Sequence, residues 1–142
     1  MKPVSELLRQ NPGELRTVRP EVSVFDALKL LAEYEVGALV VMVDSRMVGV
    51  VSERDYTRKV ALQGRNSKET KVSEIMTANV FRVTPRTGTR DCMALMREKR
   101  IRHLPVVEGE RVLGMISIRD LLDDMIRDHE MTIAQLESYI HS

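Results

Sequence analysis

Two seven-residue segments of the chain, Gly49–Asp55 and Gly114–Asp120, carry the residue types of a site for phosphate and ribose. Each holds a serine, an arginine two residues later and an aspartate three residues later. A strand that ends at the serine and a helix that begins there leave free backbone N–H groups, which can bind an anion. The arginine can add charge-assisted hydrogen bonds to phosphate, and the aspartate can accept hydrogen bonds from a vicinal diol. The simpler alternative is a helix cap with an acidic residue in the first turn, but two such segments in register favour a binding site.

The two segments belong to an internal repeat that covers most of the chain. Shifting the sequence by 65 residues aligns its halves without a gap, from Val18 on Val83 to Asp55 on Asp120. A slightly shifted echo precedes each half, where Val4-Ser5-Glu6-Leu7-Leu8 is similar to Val72-Ser73-Glu74-Ile75-Met76. A repeat of this kind indicates two copies of one supersecondary unit, each of which needs the other to bury its apolar face.

Each copy is predicted to run strand–helix–strand–strand–helix, so the fold class is α/β (α+β). In the first copy Ser23 is the expected N-cap of an amphipathic helix, with Asp26 three residues later. Two near-continuous apolar runs in each copy then predict strands that are covered on both faces. These runs are Leu39–Val43 and Val48–Val51 in the first copy, and Leu104–Val107 and Val112–Ile116 in the second.

A tail lies outside the repeat. Thr132-Ile133-Ala134-Gln135 has the form of a capping box, which predicts that a new helix begins at Thr132. Its apolar stripe must pack either on the pair itself or on a second chain. We therefore divide the chain into a first unit with its N-terminal segment at 1–66, a second unit at 67–127 and a C-terminal helical tail at 128–142.

The composition argues against several classes of protein. A formal net charge of +1 provides no basic field for nucleic acid. No apolar run approaches the length of a membrane span. The single cysteine, Cys92, fits a reducing, cytoplasmic location and the role of a small buried residue. The three histidines are too scattered for a metal set, so we expect no metal.

The ordered set of motifs resembles the CBS domain, named after cystathionine β-synthase, and the resemblance covers both halves from Val4 to Asp124. The motifs that carry it are Val18-x-Pro20, Asp26-Ala27-Leu28, Val36-Gly37-Ala38-Leu39-Val40-Val41 and Gly49 to Asp55, then Val83-x-Pro85, Ile101-Arg102-His103-Leu104-Pro105-Val106 and Gly114 to Asp120. The resemblance implies two pseudo-twofold-related CBS units plus a C-terminal helix. Each cleft would join the start of one unit to the Ser-x-Arg-Asp segment of the other. The implied ligand is an adenine nucleotide, AMP first, with ATP, ADP, NAD(H) or S-adenosylmethionine as alternatives.

Carried over by position, the resemblance implies a first cleft with three parts. Four apolar residues would enclose the adenine ring, Asp55 would bind the ribose and four polar residues would bind the phosphate. The adenine residues are Val80, Phe81, Ile101 and Val50, and the phosphate residues are Ser52, Arg54, Arg102 and His103. Pro105 is the remaining residue of this set.

A second cleft would join the start of the first unit to the Ser-x-Arg-Asp segment of the second. Its residues are Leu15, Arg16, Val36, Gly37, Met115, Ser117, Arg119 and Asp120. Here Gly37-Ala38 replaces Arg102-His103. This removes up to two cationic groups, although Arg16 can compensate. The expectation is therefore that the first cleft binds phosphate more tightly than the second.

The function implied is a regulatory module without catalytic activity. Nucleotide binding would change the arrangement of the two units or of a homodimer, and an effector protein in trans would respond to that change. Two alternatives stay open. One is a structural or protein-interaction pair with empty clefts, and the other is a nucleotide-processing enzyme, for which no general base is evident beside Ser52 or Ser117.

Overall fold

The described residues of the chain, 2–10 and 14–141 of a computed structural model, form six α-helices and two small sheets. The elements of the first copy and its leading helix are α1 (Val4–Gln10), β1 (Thr17–Val18), α2 (Val24–Tyr34), β2 (Ala38–Val43), β3 (Arg46–Ser52) and α3 (Glu53–Tyr56), which continues as a wider π-helical turn at Thr57–Ala61. Those of the second are α4 (Val72–Ile75), α5 (Thr89–Lys99), β4 (His103–Glu108), β5 (Arg111–Ser117) and α6 (Ile118–His141). The predicted α/β (α+β) class is confirmed, as is the predicted order of elements in the first copy, whereas the second copy lacks a full first strand.

Each sheet is built on an antiparallel hairpin. Strands β2 and β3 pair with Ala38 opposite Ser52, and β1 runs parallel to β2. In the second copy β4 and β5 pair with His103 opposite Ser117. The strand expected ahead of α5 is reduced there to one parallel bridge, in which the Val83 amide donates to the Pro105 carbonyl at 3.0 Å. Ala38 to Val41 and Leu104 to Val107 are fully buried, as predicted for strands covered on both faces.

The sequence repeat extends to backbone details. Glu35 and Arg100, which end α2 and α5, both have φ of 55°. Asp44 and Gly109 occupy the same left-handed position in the two hairpin turns, with φ of 54° and 61°. Both hairpins also shift register at equivalent points, after Val41 and after Val106. The two copies therefore share the conformation of these turns and bulges as well as an order of elements.

The inner helices bury matching faces. Ser23 accepts a hydrogen bond from the Asp26 amide at 3.1 Å, which confirms the predicted cap of α2. Ala27 of α2 and Cys92 of α5 occupy the same buried position, as expected for a small residue at that site. Burial raises the pKa of the Cys92 thiol to about 11, so this thiol is protonated at neutral pH.

The two leading helices are exchanged between the copies. Val4 and Leu7 of α1 belong to the core of the second copy, together with Leu104 and Ile116. The core of the first copy is completed in the same way by α4, through Val72 and Ile75. The packing therefore crosses the sequence boundary drawn at 66/67.

Equivalent hydrogen bonds fix both exchanged helices. The Val4 amide donates to the Thr87 carbonyl at 2.8 Å, and the Val72 amide donates to the Val22 carbonyl at 2.9 Å. The amides of Ser5 and Ser73 each donate to a proline carbonyl, at Pro85 and Pro20 respectively, both at 2.9 Å. The echo between the two leading segments thus reflects two equivalent docking contacts.

The C-terminal helix α6 is continuous from Ile118 to His141, so the prediction of a new helix start at Thr132 is wrong. The Thr132 hydroxyl donates to the Asp128 carbonyl one turn earlier, at 2.9 Å, and no cap forms. Leu121 and Asp124 are the buried residues of this helix, and Asp124 Oδ1 accepts a hydrogen bond from Lys2 Nζ at 2.7 Å. Within the part of the chain that the structure describes, no helix is long and apolar enough to cross a membrane.

Two equivalent glycines give a direct test of how the leading segments pack. A Cβ on Gly49 would lie 2.7 Å from the Thr77 carbonyl oxygen, whereas a Cβ on Gly114 would meet the flexible Leu8 side chain at 3.1 Å. We expect Gly49→Ala to cost about 1–3 kcal/mol of unfolding free energy, because backbone must move. Gly114→Ala is the matched control and should cost clearly less. Urea unfolding measures both, and equal losses would contradict this packing.

Candidate ligand-binding clefts

Both Ser-x-Arg-Asp segments lie where a strand turns into a helix, and both aspartates close a capping box. The Asp55 amide donates to Ser52 Oγ at 3.1 Å, and the Ser52 amide donates to Asp55 Oδ2 at 2.9 Å. The second copy repeats this geometry, with distances of 3.1 and 2.8 Å between Ser117 and Asp120. The helix cap is therefore real, and it leaves one carboxylate oxygen, Oδ1, on each aspartate for another partner.

The two remaining oxygens differ in their partners. Lys59 Nζ lies 3.1 Å from Asp55 Oδ1, one helical turn further along. The position equivalent to Lys59 is Asp124, which pairs with Lys2 instead. Among the described residues, Asp120 Oδ1 has no hydrogen bond or ion pair. The Asp120 carboxylate is thus the one that can accept a hydrogen bond from a bound molecule without displacing a lysine.

A cavity of about 660 Å³ lies between the two copies and is lined by both. All eight residues predicted for the second cleft line it: Leu15, Arg16, Val36, Gly37, Met115, Ser117, Arg119 and Asp120. The structure therefore brings together the whole of the second predicted set. Its volume is in the range of small-molecule sites.

Two residues assigned to the first cleft also line this cavity, namely Arg102 and His103. A Cβ on Gly37 would lie 3.2 Å from the His103 ring, so the ring covers the position that lacks a side chain in the first copy. The reason is geometric, because the starts of β2 and β4 meet where the two copies face each other. The two side chains thought to be missing from the second cleft are thus supplied by the other copy, and one of them is the Arg102 guanidinium.

Burial lowers the pKa of His103 below its ordinary value of 6.5. The neighbouring Arg102 guanidinium lowers the pKa further, while the Asp120 carboxylate opposes the shift. His103 is consequently a neutral hydrogen-bonding group at pH 7 in the folded chain.

Both cationic and acidic side chains line the cavity. The Arg16 guanidinium lies 4.0 Å over the Tyr34 ring and 3.4 Å from Glu14 Oε2, so it is held in place at the rim. The described lining contains three arginines and four carboxylates, which are Arg16, Arg102 and Arg119 with Glu14, Glu35, Glu53 and Asp120. Glu14, Glu35 and Glu53 were not anticipated from the sequence, since no motif marks them. The lining as a whole is close to electrically balanced.

The ten residues of the first predicted cleft are only partly brought together. Arg54, Ile101 and Arg102 line a smaller cavity of about 320 Å³. Arg54 donates from Nη1 to the carbonyl of Arg100 at 2.8 Å, and so caps the end of α5 instead of facing an open cleft. The residues that line neither cavity are Val80, Phe81, Pro105, Val50, Ser52 and Asp55.

The predicted adenine wall of the first cleft has other contacts. Phe81 is 44% exposed, with Lys99 Nζ 5.1 Å from its ring centre. Val50 is paired through both backbone groups with Thr77, at 3.0 and 2.9 Å. Both of these neighbours lie in the second copy or the segment leading to it. The alignment of the two copies at a shift of 65 residues therefore identifies which positions correspond. It does not predict which residues of the other copy surround each position.

Two related copies that exchange leading helices and enclose a cleft ending on Ser-x-Arg-Asp define a paired module with a cavity between its copies. The family model described as "CBS domain" matches residues 4–62 and 72–127. The chain belongs to the CBS-domain family, as the resemblance of its motifs predicted.

Known relatives agree with this assignment. The mitochondrial CBS domain-containing protein CBSX3 of Arabidopsis thaliana is 41% identical over 123 residues, which are 83% of this chain and 60% of that protein. This chain therefore spans less than two thirds of that relative. A solved protein with CBS domains from Burkholderia ambifaria is 47% identical, with a TM-score of 0.86 over 89% of this chain and 96% of the other.

A further solved structure contains a ligand. It is the CBS domain protein PAE2072 from Pyrobaculum aerophilum, complexed with AMP. It is 29% identical to this chain, with a TM-score of 0.74, and the match covers 83% of this chain and 88% of the other. Adenine-nucleotide binding is thus a property of a structural neighbour in the family.

The buried His103 predicts a specific pH dependence of stability. Its folded-state pKa is lowered, so below about pH 6.5 the unfolded chain takes up a proton that the folded chain resists. Stability should fall as the pH drops through this range. We expect His103→Gln to lose less unfolding free energy than the native chain between pH 7.5 and pH 5.5. Urea titrations at the two pH values measure this, and parallel losses would show that His103 does not contribute.

Proposed function

We propose that this chain is a regulatory module that binds an adenine nucleotide in the cleft that contains Asp120. AMP is the preferred ligand in this proposal. The observation that carries the proposal is the cavity of about 660 Å³ between the two copies. All eight residues predicted for the second cleft line this cavity. The AMP complex of the Pyrobaculum aerophilum relative supports the choice of ligand class.

The lining residues fit the parts of such a ligand. Leu15, Val36 and Met115 offer apolar surface for the adenine ring. Asp120 Oδ1 can accept from ribose hydroxyls, since only its other oxygen is used in the capping box. Beside it, Ser117 and Arg119 stand at the start of α6, where the Arg119 guanidinium can add charge-assisted hydrogen bonds to phosphate.

The charge balance of the cavity favours a monophosphate over a triphosphate. With His103 neutral, three guanidinium groups face four carboxylates among the described lining residues. A triphosphate would bring about four negative charges to a site in which carboxylates already outnumber guanidinium groups, and repulsion from Glu35 and Glu53 would oppose it. AMP and uncharged adenosine derivatives carry less charge and suit this lining better.

We propose that the first cleft is the weaker site, the reverse of the ranking expected from sequence. Three observations support this. Lys59 occupies Asp55 Oδ1, Arg54 is bound to the Arg100 carbonyl, and His103 and Arg102 line the second cleft. A nucleotide bound at Asp55 would have to break two existing protein contacts first.

The output of the module is proposed to act in trans. A nucleotide held by both copies changes their relative arrangement only through a difference in affinity between two states, and we propose that a homodimer and a separate effector protein transmit that change. We further propose a cytoplasmic location and no catalytic turnover. AMP, ATP and NAD should be recovered unchanged after incubation with the chain, and hydrolysis products would favour the enzyme alternative.

Paired aspartate variants test the proposed site. Asp120→Ala should weaken AMP binding by about tenfold or more, because a charge-assisted hydrogen bond to ribose is lost. Asp55→Ala is the matched control, since it removes an identical capping box and should leave the affinity nearly unchanged. Isothermal titration calorimetry with AMP, ADP, ATP, NADH and S-adenosylmethionine measures both variants.

The outcomes separate the alternatives. Equal weakening by the two variants would contradict the assignment to the Asp120 cleft. AMP binding that survives both substitutions together, in a folded chain, would overturn the site altogether. The absence of binding for every ligand would favour the structural, protein-interaction alternative.

A further inference from the structure

The outer part of α6 is a long helix without a covering element among the described residues. Helix α6 is buried on the body at Leu121 and Asp124. Lys2 Nζ holds this end of the helix through Asp124 and Asp128, at 2.7 and 3.1 Å. Every residue from 125 to 140 is exposed, which is about 24 Å of helix at 1.5 Å per residue.

Five of the eight large apolar side chains that α6 exposes follow a heptad repeat. Large apolar side chains recur at alternating intervals of four and three residues, with one histidine in the series. The six positions are Leu122, Ile126, His129, Ile133, Leu136 and Ile140, and we call them the α6 seam. The five apolar members are between 45% and 74% exposed. Isoleucine occupies every a position and leucine two of the three d positions, the choice that favours a two-stranded parallel coiled coil.

The α6 seam is separate from the face that holds α6 on the body. At 100° per residue, its mean direction lies roughly 130° around the helix from that of Leu121, Asp124 and Asp128. A partner on the seam therefore would not disturb the Lys2 ion pairs or the buried contacts.

The charges beside the seam select an orientation. The e positions are all acidic, namely Asp123, Glu130 and Glu137, whereas the g positions are Met125, Thr132 and Tyr139. In an antiparallel pair e positions face each other, which sets carboxylates against carboxylates. In a parallel pair each e position faces an uncharged g position, so this repulsion is avoided.

We propose that the α6 seam forms a parallel two-stranded coiled coil with a second copy of this chain. The proposal rests on the proposed homodimer and names its contact surface. The uninterrupted helix through Thr132 is what allows the seam to continue from the body to Ile140. His129 would form one polar layer in an otherwise apolar core, a device that fixes register at a cost in stability.

Sedimentation of the full chain over a range of concentrations tests the dimer. Ile133→Asp places a charge in the seam and should weaken dimerisation by about a hundredfold or more. Gln135→Asp adds the same charge at an outer position and is the matched control. His129→Leu should tighten the dimer by about tenfold, because an apolar layer replaces a polar one.

Cysteine cross-linking tests the orientation. Leu136→Cys places a thiol in a d layer, where a parallel pair brings the two copies together. It should form a covalent dimer on oxidation, whereas Ser138→Cys on the outer face should not. The native Cys92 is buried with its pKa raised to about 11, so it should not interfere.

Three results would overturn the proposal. They are a monomer at all concentrations, a dimer that Ile133→Asp leaves intact, or cross-linking by Ser138→Cys equal to that of Leu136→Cys. The second result would leave a homodimer through another face standing. AMP titration of Ile133→Asp provides a separate readout, since the cleft lies on the body and should bind as before.

Discussion

The exchange of leading helices is the constraint on which the rest of the structure depends. Each copy completes its core with a helix that precedes the other copy, through Leu7 in one case and Ile75 in the other. Both side chains are about 1% exposed, and burying such a residue contributes about 1.5–3 kcal/mol. Separating the two copies would therefore expose apolar residues in both cores. The cavity between them is therefore a fixed part of the fold, and the proposed nucleotide would bind at a low ordering cost.

Chemical asymmetry in this pair arises outside the repeated motif. The Ser-x-Arg-Asp segments are identical in residue type and in capping geometry. Their surroundings differ because Lys59 of the first copy corresponds to Asp124 of the second. In the first copy the Lys59 ammonium pairs with the remaining carboxylate oxygen of Asp55. In the second copy the residue at that position is acidic, and it pairs with Lys2 instead. The two copies thus have the same capping geometry, and a single residue one turn beyond the motif decides which aspartate keeps a carboxylate oxygen without a lysine partner.

The sequence predicts most of the fold but less of the site. Ungapped self-alignment was sufficient for the order of elements, for the caps at Ser23 and Ser52 and for the buried strands, because these depend on local pattern. The echo around Val4 and Val72 showed that the leading segments are alike but could not show that they are exchanged. His103 was predicted for the first cleft but lines the larger cavity, for a related reason: the alignment matches equivalent positions, whereas the neighbour of His103, Gly37, lies across the interface between the copies. Thr132 matched a capping box, yet its hydroxyl bonds one turn back and the helix continues.

Helix α6 connects two distant places with one rigid element. Asp120 lies in its first turn and Ile140 lies 20 residues further along, about 30 Å away. A tilt of about 5° at the cleft would displace the far end by about 3 Å. Helix α3 starts at the equivalent position but ends at Tyr56, followed by one π-helical turn. Of the two described clefts, only the second is attached to a lever arm, so angular changes too small to disturb the core are amplified at the far end of the molecule.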